Sequence, residues 1–593
     1  MQELREQGVL PDVGVHSRAP LPQDLHIPTT VQSILAARID RLAPEEKALL
    51  QQLAVIGREL PLSIIRQVVP QPEEELYHLL SALQRKEFLY EQPALPEPEY
   101  IFKHALTQEV AYGTVLHEPR KALHERTAQA IEALYSASLE DHYSDLAYHY
   151  SRSGNTEKAI EYLQKAGQQA LRRSANAEAV NHLTAALELL PSLPDTPERA
   201  QQELALQMAL VVPTMILHGY ASPAIETVSA RARELCQRAG ESPQISQALL
   251  GLQRFYYTRA EVQTAFELGE QLLHLARRVD DTGLLLEAHG VLGAVRFYRG
   301  ELLLAQEHWE RTIDLYQPQQ HQTHIFVYGQ DPGVVYEGFL AWNLYLLVYP
   351  DQALRRVQTG LTRARELAHP NTSAFALVHM ASIHLDRHEA QEAQRWTDEL
   401  VALSTEEELL YWAAVGIFSQ GWVLAELGQQ AEGLARMREG IAAQQAMGNM
   451  LFISRYLAQM VEAYGQVGQA EEGLRLLTEA FAVMQKTDER FWEAELYRLK
   501  GTLTLQQFEV QGSKFKDAEA EAEECFWKAM EIARKQQAKS LELRAAISLA
   551  RLWQQQGKKH EARNTLAAIY HWFTEGFDTK DLQEGKALLE ELS

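Results

Sequence analysis

The residues of this 593-residue sequence that could bind a metal or a ligand gather in one irregular stretch, QPQQHQTHIFVYGQDPGVVYEG (317–338). It contains a His-x-x-His pair, His321 and His324, together with Tyr328 and Asp331. Imidazole is a common zinc ligand, but a stable site needs further ligands beside two ring nitrogens. Such a pair on a loop is more often solvated, so the pattern predicts no metal site.

Motifs for nucleotide chemistry are missing from the sequence. A P-loop requires GxxxxGK[ST], in which backbone N–H groups and the lysine hold the phosphates. The nearest stretch, GSKFKDAE at 512–519, has too few glycines and lies in a charged segment. Neither an acidic Walker-B strand nor a cyclase core with metal-binding aspartates is recognisable. We therefore expect no cofactor, no catalytic residue and no enzyme activity in the chain itself.

The amino-acid composition and the net charge exclude several classes of protein. Hydrophobic residues make up 46% of the chain, which excludes wholesale disorder. A net charge of -24 argues against general binding to nucleic acids or anionic membranes, both of which need surplus Lys and Arg. The two cysteines, Cys236 and Cys525, cannot form a disulfide scaffold or a zinc site, and they fit a reducing compartment. The longest apolar runs, 206–217 and 339–350, are too short for a membrane span, so we expect a soluble, cytoplasmic protein.

The elements that must position any site come from a repeated pattern of small residues. Gly421 is followed by Gly428, Gly433 and Gly440 at offsets of 7, 12 and 19, and the same offsets recur from Val461. Small residues permit a close helix crossing, and the middle glycine suits the turn between two helices. The second small position recurs at 305, 353, 393, 433, 473, 522 and 562. The step of about 40 residues is typical of helix–turn–helix repeats and predicts an all-α solenoid.

The stretch DLAYHYSRSGNTEKAIEYLQKAG, which begins at Asp145, matches the residue pattern of tetratricopeptide repeats. We place repeats at 141–316 and 339–593, the latter ending in a polar capping helix of Lys and Glu. Two longer intervals mark insertions: the loop 317–338 and a charged turn at 507–521, which we expect to be flexible.

Loops inserted into a solenoid collect on one face and often bind ligands, which makes Tyr328 and Asp331 candidate effector-binding residues. The middle of the array is also rich in aromatic residues, among them Trp342 and Tyr345. At helical spacing most of these belong to the core between helices. The alternative is that some line the concave groove and bind a peptide or a small effector.

The segment before the repeats has a different pattern. Residues 1–26 predict a linker or the end of a preceding ATPase module. Helices are expected at 27–42, 45–56, 61–69 and 72–85, followed by two strands, FLYEQ and EYIFK, around a Pro-rich loop. Three helices and a small hairpin make a winged-helix-like module at 27–140. Its recognition helix would carry only Arg85 and Lys86 near its end, so we do not expect DNA binding.

Two segments of this module resemble a known family: PTTVQSILAARIDRLAPEEKALLQQLAVIGREL (28–60) and YIFKHALTQEVAYGTVLHEPRKALHERTAQAIE (100–132). They resemble the region after the ATPase core of STAND-type signalling ATPases, above all bacterial chains that join a class III nucleotide cyclase, an ATPase and tetratricopeptide repeats. FKHALTQEVAY also resembles the Met-His-Asp segment of NB-ARC proteins. That resemblance implies a contact from His104 to the phosphate of bound ADP when an ATPase domain is present. Lys103 and Ala105 depart from the motif.

The sequence therefore predicts a regulatory and sensory scaffold, the C-terminal arm of a signalling ATPase or nucleotide cyclase. Its solenoid groove would bind a protein, a peptide or a small effector. The alternatives are an ATP-dependent transcriptional regulator of the maltose-activator type, and a part of an adenylate cyclase whose catalytic domain lies outside this chain. ATP or ADP would bind only in a larger parent protein.

Overall fold

A computed structural model describes residues 29–93, 97–239, 245–321, 323–511 and 515–593. The chain is 81% helical, with 30 α-helices in the described part, which confirms the all-α repeat fold. It divides into two compact units, one ending at Tyr162 and the other beginning at Leu163. The predicted linker at 1–26 lies outside the described residues. Across the described part, every helix is too short or too polar to span a membrane.

The first unit combines helices with a small sheet. In chain order its elements are α1 (Thr29–Asp40), α2 (Pro44–Ile56), β1 (Glu59–Pro61), α3 (Leu62–Val68), α4 (Glu73–Arg85), β2 (Leu89–Gln92), β3 (Glu99–Phe102), α5 (Ala105–Gly113), α6 (His117–Leu134), α7 (Tyr143–Ser153) and α8 (Thr156–Arg172), the last of which crosses the boundary between the units.

Both strands predicted around the Pro-rich loop are present, although residues 94–96 of that loop lie outside the described residues. The sequence pattern missed β1, a three-residue strand that is too short to show a period of two. The sheet is antiparallel in the order β1-β3-β2, with Tyr100 of β3 opposite Leu60 and Glu91. Phe102 and Leu60 are buried, so the sheet closes one side of the helical core.

The second unit is a continuous series of paired helices. They are α9 (Asn176–Leu189), α10 (Pro197–His218), α11 (Pro223–Ala239), α12 (Ile245–Thr258), α13 (Val262–Val279), α14 (Thr282–Tyr298), α15 (Leu302–Leu315), α16 (Pro318–His321), α17 (His324–Tyr328), α18 (Pro332–Leu347), α19 (Pro350–Leu367), α20 (Pro370–Asp386), α21 (Ala390–Glu406), α22 (Leu410–Glu426), α23 (Gln430–Ala446), α24 (Ile453–Gln466), α25 (Ala470–Thr487), α26 (Glu493–Gln511), α27 (Phe515–Gln536), α28 (Lys539–Gln555), α29 (Lys559–Tyr570) and α30 (Lys580–Glu591).

The repeated small residues lie where α22 and α23 cross. A Cβ on Gly421 would come within 2.6 Å of the Gly433 carbonyl oxygen, and a Cβ on Gly433 within 2.6 Å of the Gly421 carbonyl oxygen. Gly428 takes a positive φ of 87° in the turn between the two helices, a conformation that favours glycine. The alanines at the equivalent second position, including Ala393 and Ala562, are fully buried. The register predicted from the sequence is confirmed.

Both predicted insertions are more helical than expected. The segment 317–338 forms α16 and α17, and its last residues belong to α18 rather than to a loop. Asp331 explains the difference, because its carboxylate accepts a hydrogen bond from the N–H of Val334 and caps the start of α18. Most of the charged stretch at 507–521 continues α26 and α27, and residues 512–514 lie outside the described residues.

The second unit winds into a tight superhelix whose successive turns touch. The Tyr298 hydroxyl donates to Glu489, 191 residues away, and the Ser540 hydroxyl donates to the Tyr345 carbonyl, 195 residues away. Met450 N–H donates to the carbonyl oxygen of Thr258 in the same way. These separations are close to five times the 40-residue step, so about five repeats complete one turn of the superhelix.

This winding closes the groove that the sequence led us to expect. The turns that precede α24 and α26 insert Phe452 and Phe491 into the interior of the second unit. Their rings pack with each other and with Phe297 and Trp342 at centroid distances of 4.7–5.8 Å. The prediction of one large continuous groove is therefore wrong, because a turn of only five repeats brings opposite walls into contact. Beside these rings two small cavities of about 70 and 90 Å³ remain, while two wider clefts lie elsewhere in the unit, one along α12 and α13 and one between α26 and α27.

Candidate functional site

The candidate site is a cavity of about 70 Å³ inside the second unit, which we call the central cavity. Four helices, α18, α20, α22 and α24, form most of its wall. Its lining residues are Phe339, Trp342, Phe375, Val378, His379, Ser382, Leu385, Tyr411, Trp412, Val415, Phe418, Ser419, Trp422, Leu451, Phe452, Arg455, Tyr456 and Gln459. Among them Phe339, Val378 and Ser382 are partly exposed, which places the opening between α18 and α20. The wall is predominantly aromatic, as in sites for small organic ligands.

His379 is held in one orientation and one protonation state. Its ring stacks on Phe375 with centroids 4.2 Å apart, and its Nδ1 lies 3.1 Å from the Phe375 carbonyl oxygen. A carbonyl only accepts, so Nδ1 carries the proton and Nε2 is an acceptor in the neutral ring. Burial lowers the pKa of His379 to about 4, so the ring is neutral at pH 7. Gly338 makes room for it, since a Cβ there would come within 2.8 Å of His379 Cγ.

Several polar atoms in this wall lack partners. His379 Nε2 and both side-chain polar atoms of Gln459 are buried and make no hydrogen bond to the described residues. Only 3% of the Gln459 side chain is exposed. An unsatisfied buried polar group costs about 1–3 kcal/mol, and most proteins avoid it. The cavity therefore presents hydrogen-bonding groups that the fold itself leaves unsatisfied.

Arg455 supplies the one cation in the wall, and the fold neutralises it. Its Nη2 donates to Asp386 Oδ1 over 2.9 Å, and Trp342 Nε1 donates to Asp386 Oδ2 over 2.9 Å. The guanidinium also lies over the rings of Trp342, Trp422 and Trp492, at 4.4, 5.5 and 5.2 Å from their centroids. Paired with a carboxylate and enclosed by aromatic faces, the buried charge of Arg455 is well stabilised.

A second cavity of about 90 Å³ adjoins the first, and we call it the side cavity. Both share the side chains of Phe339, Phe375, Tyr411, Trp412 and Leu451. It also contains Gln253, whose two polar side-chain atoms are buried without a partner in the described structure, and the unpaired Nε2 of Gln330. The unsatisfied amides thus continue from one cavity to the next.

Behind the central cavity lies a buried ionic network. The carbonyl of Asp386 accepts from Arg544, which also pairs with Asp581 at 2.7 Å and with Glu495 at 3.7 Å. Glu495 in turn pairs with Arg498 at 2.6 Å. The further ion pairs are Arg498–Glu462, Arg387–Asp351, Arg387–Asp578, His388–Glu426 and His388–Asp581.

The ionic network ties the cavity wall to the C-terminal end of the chain. Burial alone would lower the pKa of His388, but its hydrogen bond to Glu426 raises that pKa above its ordinary value. Asp581 lies at the start of α30, the predicted capping helix, and Glu575 accepts from the N–H groups of Asp351 and Gln352 at the start of α19. Charged side chains therefore stabilise the position of the C-terminal cap, in addition to apolar packing.

The two aromatic candidates from the sequence both lie beside this site. Trp342 lines the central cavity and bonds to Asp386. The hydroxyl of Tyr345 donates to the Asp386 carbonyl and also contacts Arg544 at 3.3 Å, so Tyr345 supports the ionic network without lining the cavity.

Tyr328 and Asp331 occupy structural positions. The carbonyl of Tyr328 accepts a hydrogen bond from Arg254, and its ring packs edge-on against His324. Asp331 is fully buried, caps α18 and accepts a 2.7 Å hydrogen bond from Tyr316. Neither side chain lines the central or the side cavity.

The two histidines of the His-x-x-His pair are not solvated. Both His321 and His324 are buried, and His324 Nδ1 lies 2.9 Å from Glu287 Oε1. The expectation of solvation is wrong because α17 packs His324 against Glu287 of α14, and His321 lies against Tyr316 and His324. In the described residues no three His, Cys, Asp or Glu side chains are arranged to hold a metal ion. His104 is exposed at the residue preceding α5 and makes no side-chain capping bond there.

Sequence reasoning missed His379, Arg455, Gln459 and Asp386. Each falls at an ordinary helical position, and no motif marks it. The available signal was a polar residue within an otherwise apolar helix, as in AFALVHMASIHL (374–385) and ISRYLAQMV (453–461). A polar side chain on such a helix must face a partner or a ligand.

The likeness to known proteins is distant. No protein-family model matches the sequence. An uncharacterised protein of Rhizobium meliloti (strain 1021) is 24% identical over 552 residues, which cover 92% of this chain and 52% of that protein. The chain thus spans about half the length of the curated relative that it matches.

Three solved structures illustrate the structural likeness. A Rap protein complexed with Competence and Sporulation Factor gives a TM-score of 0.45 at 12% identity, covering 64% of this chain and 99% of that one. The apo form of the quorum sensor NprR from B. thuringiensis gives 0.40 at 13%, covering 63% and 99%. A Signal Transduction ATPase with Numerous Domains (STAND) protein with a tetratricopeptide repeat sensor, from Pyrococcus horikoshii, gives 0.33 at 11%, covering 88% and 68%.

Proposed function

We propose that this chain is the effector-binding, regulatory arm of a signalling protein, and that the effector binds in the central cavity. The observation that carries the proposal is an aromatic-lined cavity whose buried Gln459 and His379 have unsatisfied polar atoms. Burying such groups without a partner destabilises a protein, so their presence is best explained by a ligand that supplies the partner.

The position of the cavity suits a regulatory role. Its wall is formed by helices of consecutive repeats, and Asp386 connects that wall to Arg544 and through it to the C-terminal cap. A ligand that fits one packing of these helices better than another would shift the population between them. The size of the cavity favours a small effector, or one side chain of a peptide, over a folded protein segment.

We further propose that the output belongs to a nucleotide-switched domain of a longer protein. Support comes from the sequence resemblance at 28–60 and 100–132, and from the order of elements from α2 to β3, which is helix, strand, two helices and a hairpin, as in a winged helix. In this proposal His104, exposed beside β3, contacts ADP only when the ATPase domain is present.

The charges of the first unit do not favour the alternative of a DNA-binding transcriptional regulator. Its helix α4 begins with Glu73, Glu74 and Glu75, which would repel a phosphate backbone. For the chain by itself we expect no binding of ATP or ADP. Calorimetric titration checks this, and binding of either nucleotide at micromolar concentration would contradict it.

The effector proposal is tested by native mass spectrometry of the full chain after incubation with a small-molecule extract of bacterial cells. We expect a bound species in the wild-type protein that is absent from Ser382→Trp, which fills the opening of the cavity. Ser373→Trp is the matched control, because Ser373 is partly exposed on the same helix but does not line the cavity. A wild-type protein that retains nothing, or a Ser382→Trp protein that retains the same species, would overturn the proposal.

A further inference from the structure

We propose that the central cavity takes a small, uncharged, flat molecule with an amide-type donor and acceptor side by side and one further N–H or O–H donor. This inference rests on the proposed function and assigns a ligand class to the same site. It follows from which polar atoms are unsatisfied, which are already paired, and what covers the rest of the wall.

Gln459 defines the amide-type pair. Its Nε2 and Oε1 are both buried in the wall and have no partner in the described structure. A primary amide offers donors and an acceptor at adjacent atoms, and it is best complemented by a group that offers the reverse pair in the same plane. Amides, lactams and ring systems with an N–H next to a carbonyl have this arrangement. A carboxylate lacks the donor, and an ammonium group lacks the acceptor.

His379 defines the further donor. Its Nδ1–H is taken by the Phe375 carbonyl, which leaves Nε2 as an acceptor without a partner. A ligand that satisfies Gln459 alone would leave this nitrogen buried and unpaired, at a cost similar to that of any lost hydrogen bond. An N–H or O–H group of the ligand that reaches Nε2 removes the cost.

The charge and the shape of the ligand follow from the absence of net charge in the wall and from its aromatic rings. Arg455 is already paired with Asp386 through Nη2, so an ionised ligand would bring a buried charge without a counter-ion. The buried Nε–H of Arg455 has no partner in the described structure and can donate to an acceptor of the ligand. The remaining surface consists mainly of rings, among them Trp412 and Phe418, which favour a flat, apolar body.

The test uses three related probes that suit a cavity of about 70 Å³, applied to the full chain: acetamide, acetate and acetone. Isothermal titration calorimetry at pH 7 is expected to show the amide binding at least about tenfold more tightly than either of the others, since neither acetate nor acetone has an N–H donor. Equal affinity for all three, or tighter binding of the carboxylate, would overturn the assigned ligand class.

The residue assignment is tested with Gln459→Leu and Gln459→Met, two substitutions that remove the amide and keep the bulk. Both are expected to weaken binding of the amide at least about tenfold. Gln506→Leu on α26 is the matched control, since it removes a partly buried glutamine whose Oε1 is also unpaired but which does not line the central cavity. Amide affinity that is unchanged in both Gln459 variants would overturn the assignment.

Failure of the assigned ligand class can be distinguished from failure of the proposed effector site. A species that is retained from the extract and excluded by Ser382→Trp supports an effector site whatever its chemistry. Its mass and fragmentation then decide the present inference, because an ionised ligand, or one without an amide-type pair, contradicts it.

Discussion

The second unit contains two groups of buried polar residues, and they are satisfied in opposite ways. In the ionic network every charged side chain has a partner of opposite sign, as Arg544 has in Asp581 and Glu495, although single atoms such as Glu495 Oε2 and Arg498 Nε make no hydrogen bond in the described structure. In the central cavity Gln459 and His379 have polar atoms without any partner in the described structure. The first group holds turns of the superhelix together, while the second, in the function proposed above, is completed by the effector.

The presence or absence of a partner distinguishes these two groups of residues better than their solvent exposure does. Arg544 and Glu495 of the first group are buried, as are Gln459 and His379 of the second, so burial alone would classify these side chains together. Asp386 joins them, since its carboxylate faces the cavity through Arg455 while its carbonyl accepts from Arg544.

The largest expected effect comes from breaking the ionic network at Arg544. In Arg544→Met, Asp581 and Glu495 lose a shared cation inside the protein, and we expect the free energy of unfolding to fall by about 3–5 kcal/mol. Urea denaturation measures it. Arg551→Met on the same helix is the control, because its pair with Glu584 is largely exposed and should contribute less than about 1 kcal/mol. Equal losses in both variants would contradict a structural role specific to the network.

Asp386→Asn tests the residue that joins the two groups. The substitution keeps the shape of the side chain but leaves Arg455 without its counter-ion. We expect a loss of about 3 kcal/mol in the free energy of unfolding, together with weaker ligand binding because Trp342 loses its charged acceptor. Thermal melting and calorimetry measure the two effects. Stability lost without any change in ligand affinity would show that the two groups are independent.

Glu489 tests whether a buried carboxylate in this unit requires a cation. It is fully buried and accepts from the N–H groups of Ser454 and Arg455 at 3.2 Å each. Burial raises its pKa from 4.5 to about 7. A raised carboxyl pKa means that its contribution to stability is complete below about pH 4.5 and is lost as the pH rises through about 7.

We therefore expect the wild-type protein to lose about 2–3 kcal/mol relative to Glu489→Gln between pH 4.5 and 8. Urea denaturation of both proteins at four pH values in that range measures the difference. Parallel pH profiles of the two proteins would show that the helix N–H groups alone stabilise the ionised form.

The smallest expected effect has the opposite sign. Replacing an unsatisfied buried amide by a hydrocarbon of similar size removes a desolvation cost, so Gln459→Leu and Gln253→Leu should each raise the free energy of unfolding by about 1 kcal/mol without ligand. Differential scanning calorimetry measures the change. A clear destabilisation by both substitutions would show that these amides are bonded within the free protein, and it would remove the distinction between the two groups.

Much of the fold was readable from the sequence because the repeat is local. The small residues at 421, 433 and 440 predict helix crossings, and Gly428 predicts the turn, since both depend on residues within about 20 positions. The cap of the array followed from its polar residues. The helices within 317–338 were not predicted from the sequence. Its Pro and Gly residues indicated a loop, but they are also compatible with helix starts, such as that of α18 after the capping Asp331.

Only part of the candidate site could be predicted from the sequence. Trp342 was a candidate from the sequence and lines the central cavity, whereas Tyr328 and Asp331 support the surrounding structure. The aromatic composition indicated where a ligand could bind. It did not indicate which polar side chains would be left without partners, because that depends on neighbours from other helices.

By itself, then, the sequence determined an all-α array with a 40-residue step, since the pattern of small and apolar residues acts within each pair of helices. Tertiary structure alone decided that the groove is closed. The winding of about five repeats per turn arises from small rotations between neighbouring pairs, and it brings Tyr298 to Glu489 across 191 residues. The same winding places Gln459 and His379 in one cavity and Arg455 beside Asp386, 69 residues away.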